Sequence, residues 1–133
     1  MSAGDDRSVG SMGLSFAVDG DRVVATFTPR HEHRGAPGFL HGGFAAMALD
    51  ETLAAVGWLL DGQHVVTATL ELRYRHPVPL AAGPLRVEAW RVDARGSSRR
   101  WRVEGRLLLA DGTVAVEGRG VFVAAPESMR MAP

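Results

Sequence analysis

Apolar and polar residues alternate along most of this chain, and the main exception is a run rich in alanine and leucine near its middle. Residues 13–19 and 22–28 alternate on either side of Asp19-Gly20, a pair suited to a tight hairpin turn. Leu14, Phe16 and Val18 share one face of the first stretch, and Val23, Ala25 and Phe27 share one face of the second. Residues 29–40 hold too many Pro, Gly and His residues for regular structure. From His41 to about Leu60 the alternation gives way to a proline-free stretch whose charges are essentially Asp50 and Glu51. This predicts a helix of about five turns, ended by Asp61-Gly62. Ala45, Ala46, Ala48, Ala54 and Ala55 keep it slim on several sides, which suits a helix wrapped by a sheet.

Four more alternating stretches follow. Residues 65–75 place Val66, Ala68, Leu70, Leu72 and Tyr74 on one face, with Thr67, Thr69, Glu71, Arg73 and Arg75 on the other. Residues 85–93, 99–110 and 113–124 alternate in the same way, the last two joined by Asp111-Gly112. Two strands, one helix and four strands predict an α+β domain over residues 13–124, a mainly antiparallel sheet of about six strands wrapped around one long central helix. Residues 1–12 read as a flexible arm and 125–133 as a tail. A single sheet around one helix leaves unpaired edges, and extending the sheet into a homodimer or homotetramer protects an edge.

Composition narrows the chemistry. Fifteen arginines balance fifteen acidic residues, so no bulk field points to nucleic acid or to an anionic membrane. The absence of cysteine excludes disulfides, thiolate metal sites and a cysteine nucleophile. Lysine, asparagine and isoleucine are also absent, a bias expected of a GC-rich bacterial genome. Met1 to Asp6 is acidic and lacks the apolar core of a signal peptide, and no apolar run reads as a membrane span. A cytoplasmic location is therefore expected. His31-x-His33 lacks a third ligand, so no metal site is expected there.

The informative segment is Gly38-Phe39-Leu40-His41-Gly42-Gly43, followed on the helix by Asp50-Glu51. Adjacent glycines weaken a helix start unless the backbone must approach something closely. The first N–H groups of a helix lack internal partners and lie at the positive end of its dipole. A carbonyl docked there would have developing negative charge stabilised. A carboxylate such as Asp50 can activate water or attack a carbonyl itself. The step from His41 to Asp50 is roughly 13 Å along the axis and roughly 180° around it. Both groups then serve one substrate only if they come from two subunits. The alternative is structural: a tight helix start and a carboxylate satisfied by the sheet.

Gly38-x-x-His41-Gly42-Gly43, with an acidic residue nine positions after the histidine, resembles the PaaI-type branch of the hotdog-fold thioesterases. Thr67-x-x-Leu70-x-x-x-Tyr74-x-x-Pro77 is similar to the strand that follows the central helix in that family, and the Gly96-Ser97 and Asp111-Gly112 turns match in place. The resemblance covers about residues 13–124. It implies an acyl-CoA substrate, a hotdog fold and no cofactor. It also implies that the Gly42 amide polarises the thioester carbonyl, that Asp50 is the catalytic carboxylate supplied across a dimer, that Thr67 helps hold the water, and that His41 supports the turn near the carbonyl. Many relatives carry Asn or Gln six residues before the histidine; here that residue is Gly35, with His33 or Thr67 as candidates to replace it.

Further candidates are Gly43 and Phe44 at the acyl site, and Arg99 and Arg100, with Arg95 and Arg102, at the CoA phosphates. For the arginines a solvated hairpin is the equal alternative. Glu51 competes with Asp50, but adjacent helical residues point about 100° apart and only one can face a given site. Two other functions fit the fold less well. One is a non-catalytic acyl-CoA-binding module, favoured by Gly35; the other is a hydratase, for which no second catalytic histidine is evident.

Overall fold

In a computed structural model, which describes residues 13–93 and 99–126, the elements follow the order set by the apolar pattern. Strands β1 (Ser15–Asp19) and β2 (Arg22–Phe27) form a hairpin, and helix α1 (Gly42–Ala55) runs on as a widened π turn through Val56–Leu60. Strands β3 (Val65–Tyr74), β4 (Leu85–Arg91), β5 (Arg100–Leu108) and β6 (Val114–Ala124) follow. All six form one antiparallel sheet in the order β1-β2-β4-β5-β6-β3. This is the hotdog fold, with β1 and β3 as its edges. The expected arm, most of the tail and the Gly96-Ser97 turn with Arg95 lie outside the described residues.

The sheet curls around α1. Leu49 and Leu53 of the helix are fully buried against Val87, Ala89, Val103, Leu107 and Phe122 of the strands. Helix and sheet approach closely because the sheet lacks side chains where they would collide. A Cβ on Gly105 would stand 2.6 Å from the Glu88 carbonyl oxygen and 2.7 Å from Leu53 Cδ1, and one on Gly118 would meet Leu72 at 3.1 Å and Leu49 at 3.5 Å. Gly105 and Gly118 are paired across β5 and β6, so they form one slot across the sheet. Helix residues 42–60 do have the length and apolarity of a membrane span, 19 residues with mean hydropathy 1.3, contrary to the expectation from the sequence. The helix instead supplies the core that the sheet encloses.

The outer face of the sheet is charged. Glu88 receives Arg22, Arg86 and Arg106, and the Arg22 and Arg106 guanidinium groups lie over the Trp90 ring at 4.4 and 5.5 Å. At the far end of the helix Asp61 accepts from Trp101 Nε1 at 2.6 Å and from Arg91 at 3.3 Å, tying the last turn to β4 and β5.

One strand departs from strict alternation. β3 carries a bulge between Thr67 and Thr69: Thr67 lies opposite Phe122, whereas Thr69 lies opposite Val121. The extra residue, Ala68, moves Thr67 onto the same face as Leu70, Leu72 and Tyr74, which lie opposite Gly120, Gly118 and Val116. The alternation had assigned Thr67 to the opposite face from these residues. The bulge turns it toward the helix.

Candidate functional site

The helix start is built by its N-cap. His41 is extended (φ −64°, ψ 134°), and its Nδ1 accepts the Gly43 N–H at 2.8 Å while its carbonyl accepts from Phe44 and Ala45. A backbone N–H can only donate, so Nδ1 is unprotonated and the proton of the neutral ring sits on Nε2. The ring is held between two glycines. A Cβ on Gly43 would fall 3.0 Å from Nδ1, and one on Gly35 would fall 3.0 Å from His41 Cα and 3.3 Å from Cδ2. Gly35 therefore does more than omit a polar side chain: its bareness lets the 35–40 loop close on His41, with Gly35 N donating to the Phe39 carbonyl at 2.9 Å.

The first-turn amides are not equivalent. Those of Gly43, Phe44 and Ala45 are engaged, while no acceptor among the described residues takes the Gly42 N–H. It lies on an exposed surface, at the positive end of the helix dipole. Phe44, half-buried, packs between the rings of His33 at 4.8 Å and His41 at 6.2 Å. His33 itself is buried, its Nδ1 accepting from Arg30 N and its carbonyl from His41 N. It buttresses the helix start, while His31 is exposed.

Asp50 lies two turns further on. Its Oδ1 accepts from the Thr67 hydroxyl at 2.8 Å, a contact that the bulge makes possible. The carboxylate is thus held in one orientation at the surface beside an edge strand. Glu51, next to it, points elsewhere, into a cleft of about 360 Å³ lined also by Trp58, Gly62, Gln63 and His64. Burial, and then the neighbouring Asp50 charge, push the Glu51 carboxyl above the ordinary carboxylate range.

Tyr74, the last residue of β3, makes a contact that the strand motif does not foretell. Its hydroxyl donates to the Gly42 carbonyl at 2.7 Å, and its ring lies where a Cβ on Gly42 would make ordinary contact, 3.6 Å away. Partial burial raises the Tyr74 phenol above its usual range, so it stays protonated as a donor. β3 thus bonds to α1 twice, through Thr67 to Asp50 and through Tyr74 to Gly42. The two groups both turn toward β3 and are separated along the helix, rather than by the half-turn reckoned from His41. Arg99 and Arg100 do not join them in one chain. Both are exposed, and Arg100 lies opposite Val123 on the outer face, one position from the inward Trp101.

Residues 37–108 match the model of the thioesterase superfamily. Among similar proteins, the Xenopus laevis acyl-coenzyme A thioesterase THEM4 is 42% identical over 59 residues, 44% of this chain and 26% of that protein. The mouse acyl-coenzyme A thioesterase THEM5 is 34% identical over 69 residues, 52% of this chain and 27% of that protein. The chain therefore spans about a quarter of the length of these relatives. Among solved structures, a thioesterase superfamily protein is 33% identical with a TM-score of 0.72, covering 83% of this chain and 55% of its own. One from Shewanella loihica PV-4 is 26% identical with a TM-score of 0.73, covering 90% and 99%.

Proposed function

The chain belongs to the thioesterase superfamily, and from that premise we propose that it hydrolyses acyl- or aryl-CoA thioesters to the free acid and CoA, as a PaaI-type enzyme, at a site shared by two subunits. One observation carries this reading: Gly42, whose N–H is unengaged and whose carbonyl accepts from Tyr74, and Asp50, whose carboxylate accepts from Thr67, lie at opposite ends of a single edge strand. Antiparallel pairing of β3 with the β3 of a second copy brings the Thr67 end of one strand to the Tyr74 end of the other. Each Asp50 then faces the Gly42 of its partner, and two composite sites form by symmetry.

In each site the thioester oxygen accepts the Gly42 N–H, with His41 Nε2–H as a second donor. The developing oxyanion is stabilised by groups that are already in place. Asp50, steered by Thr67, takes a proton from water as the water oxygen adds to the carbonyl carbon. The tetrahedral intermediate collapses with cleavage of the C–S bond, and the proton passes from Asp50 to the departing CoA thiolate, leaving the free acid. Direct attack by Asp50 would instead give a mixed anhydride. Rapid quench of a single turnover with acyl-labelled substrate separates the two, because only the anhydride route leaves the acyl group covalently on the protein, whichever carbon water then attacks. Gly43 and Phe44 flank the acyl group, and Arg99 and Arg100 are the candidates for the CoA phosphates.

Two substitutions test the shared site. Asp50→Asn removes the base. Gly42→Pro removes the amide at a position where proline is tolerated, since it is the first residue of the helix and His41 already has the extended backbone a proline requires. Each is expected to lower kcat/KM by roughly 100-fold or more. Randomly mixed subunits of the two variants should regain roughly a quarter of wild-type activity, because half the dimers are mixed and each mixed dimer holds one intact site. No recovery in verified mixed dimers would place both groups in one chain. Gly35 favours a second reading, an acyl-CoA-binding module without turnover. Thermal stabilisation by CoA esters with no thiol release is its signature.

A further inference from the structure

Tyr74 has a consequence beyond anchoring the strand. Its O–H donates to the Gly42 carbonyl at 2.7 Å, and the N–H of that same peptide group, belonging to Gly43, donates to His41 Nδ1 at 2.8 Å. Both directions are forced, because a carbonyl only accepts and a backbone N–H only donates. The three groups form one line: phenol, peptide, imidazole. Donation to a peptide oxygen withdraws electron density from its nitrogen and makes the N–H a better donor, so each bond strengthens the next. The carbonyl has a second lone pair, so the phenol need not displace a helical hydrogen bond.

We infer that Tyr74 is a positioning residue that reinforces, through the Gly42–Gly43 peptide, the His41 tautomer selected by the Gly43 N–H, so that Nε2 presents a proton to the substrate carbonyl. The steric frame supports this. A Cβ on Gly43 would crowd the Nδ1–Cε1 edge and one on Gly35 the Cδ2 atom and backbone of His41, so both glycines leave room for the ring in this orientation, and the residue as a whole remains exposed. A histidine with the other tautomer would turn a lone pair toward the substrate and lose its bond to Gly43. The same relay holds the Gly42–Gly43 peptide in place, next to the His41–Gly42 peptide that carries the Gly42 N–H. Tyr74 acts through other groups, and its hydroxyl is already committed to the chain. The catalytic consequence rests on the thioesterase reading, whereas the tautomer does not.

The test is Tyr74→Phe, which keeps the ring and removes the hydroxyl. The tautomer is read from the imidazole nitrogens by long-range 1H–15N NMR on the full chain, at a pH where the ring is neutral. The His41 signals among the five histidines are identified by their loss in His41→Gln. Wild type should show a single Nε2–H form, and Tyr74→Phe a measurable admixture of the Nδ1–H form as the Gly43 bond weakens. Gly43→Ala, whose Cβ would fall 3.0 Å from Nδ1, should release the tautomer as well, with the phenol still present. On an acyl-CoA that wild type cleaves, Tyr74→Phe should lose kcat roughly tenfold with KM changed less than about twofold, the kinetic equivalent of one net hydrogen bond. An unchanged His41 spectrum in Tyr74→Phe overturns the inference, whatever the activity. If wild type cleaves no CoA ester, the thioesterase reading fails and the NMR comparison still decides the relay.

Discussion

At the scale of residues, the proposed chemistry depends on a few short hydrogen bonds at an exposed surface. Thr67 is the plainest case, since its hydroxyl is directed at Asp50 Oδ1. Thr67→Val keeps the shape and removes the donor. It should reduce kcat/KM roughly tenfold while shifting stability by less than about 0.5 kcal/mol, because the bond is exposed. Assays of thiol release and thermal melts measure the two effects separately. Glu51 makes the opposite kind of prediction. Its folded-state carboxyl titrates above its ordinary value, through burial first and the Asp50 charge second. The folded state therefore binds the proton more tightly than the unfolded chain, so the stabilising contribution is present in acid and is lost as pH rises through the raised value. Glu51→Gln should accordingly gain melting temperature relative to wild type near pH 7, with the gain disappearing by about pH 4. A gain that is constant across this range would point to packing instead of charge.

At the scale of elements, the sheet presents the bare glycines Gly105 and Gly118 where the helix presents Leu53 and Leu49. Gly105 is the tightest point, because an added Cβ would collide with backbone at 2.6 Å, which yields less readily than a side chain. Gly105→Ala should cost about 3 kcal/mol in a denaturant titration. Gly118→Ala, facing the movable end of Leu72 at 3.1 Å, should cost less. Equal costs would mean that the helix, rather than the sheet, adjusts. The strand pattern of β3 was legible in the sequence apart from its one irregularity. Period-two alternation cannot reveal a bulge, because inserting Ala68 changes the face of Thr67 without changing the composition of the strand. Tyr74 was legible as an inward residue, but its bond to Gly42 joins groups 32 residues apart, a separation at which no local pattern speaks.

At the scale of the whole molecule, a long edge strand and two separated half-sites predict an obligate oligomer. Sedimentation equilibrium should give a multiple of 14.2 kDa at micromolar concentration. A monomer with full thioesterase activity would exclude the shared site. Much of the architecture follows from the sequence alone, because apolar periodicity and turn residues act locally. The strands, the helix start after Leu40, its end at Asp61-Gly62 and the α+β class follow from burial demanded every second or every third to fourth residue. The motif Gly38-x-x-His41-Gly42-Gly43 and Asp50 also stand in the sequence as candidates. The tertiary structure alone decided how they relate: the glycine slot that admits the helix, the bulge that turns Thr67 to Asp50, the loop closed by Gly35 over His41, and the phenol that reaches Gly42. Each of these depends on distances between segments far apart in the chain, which packing determines and local pattern does not record.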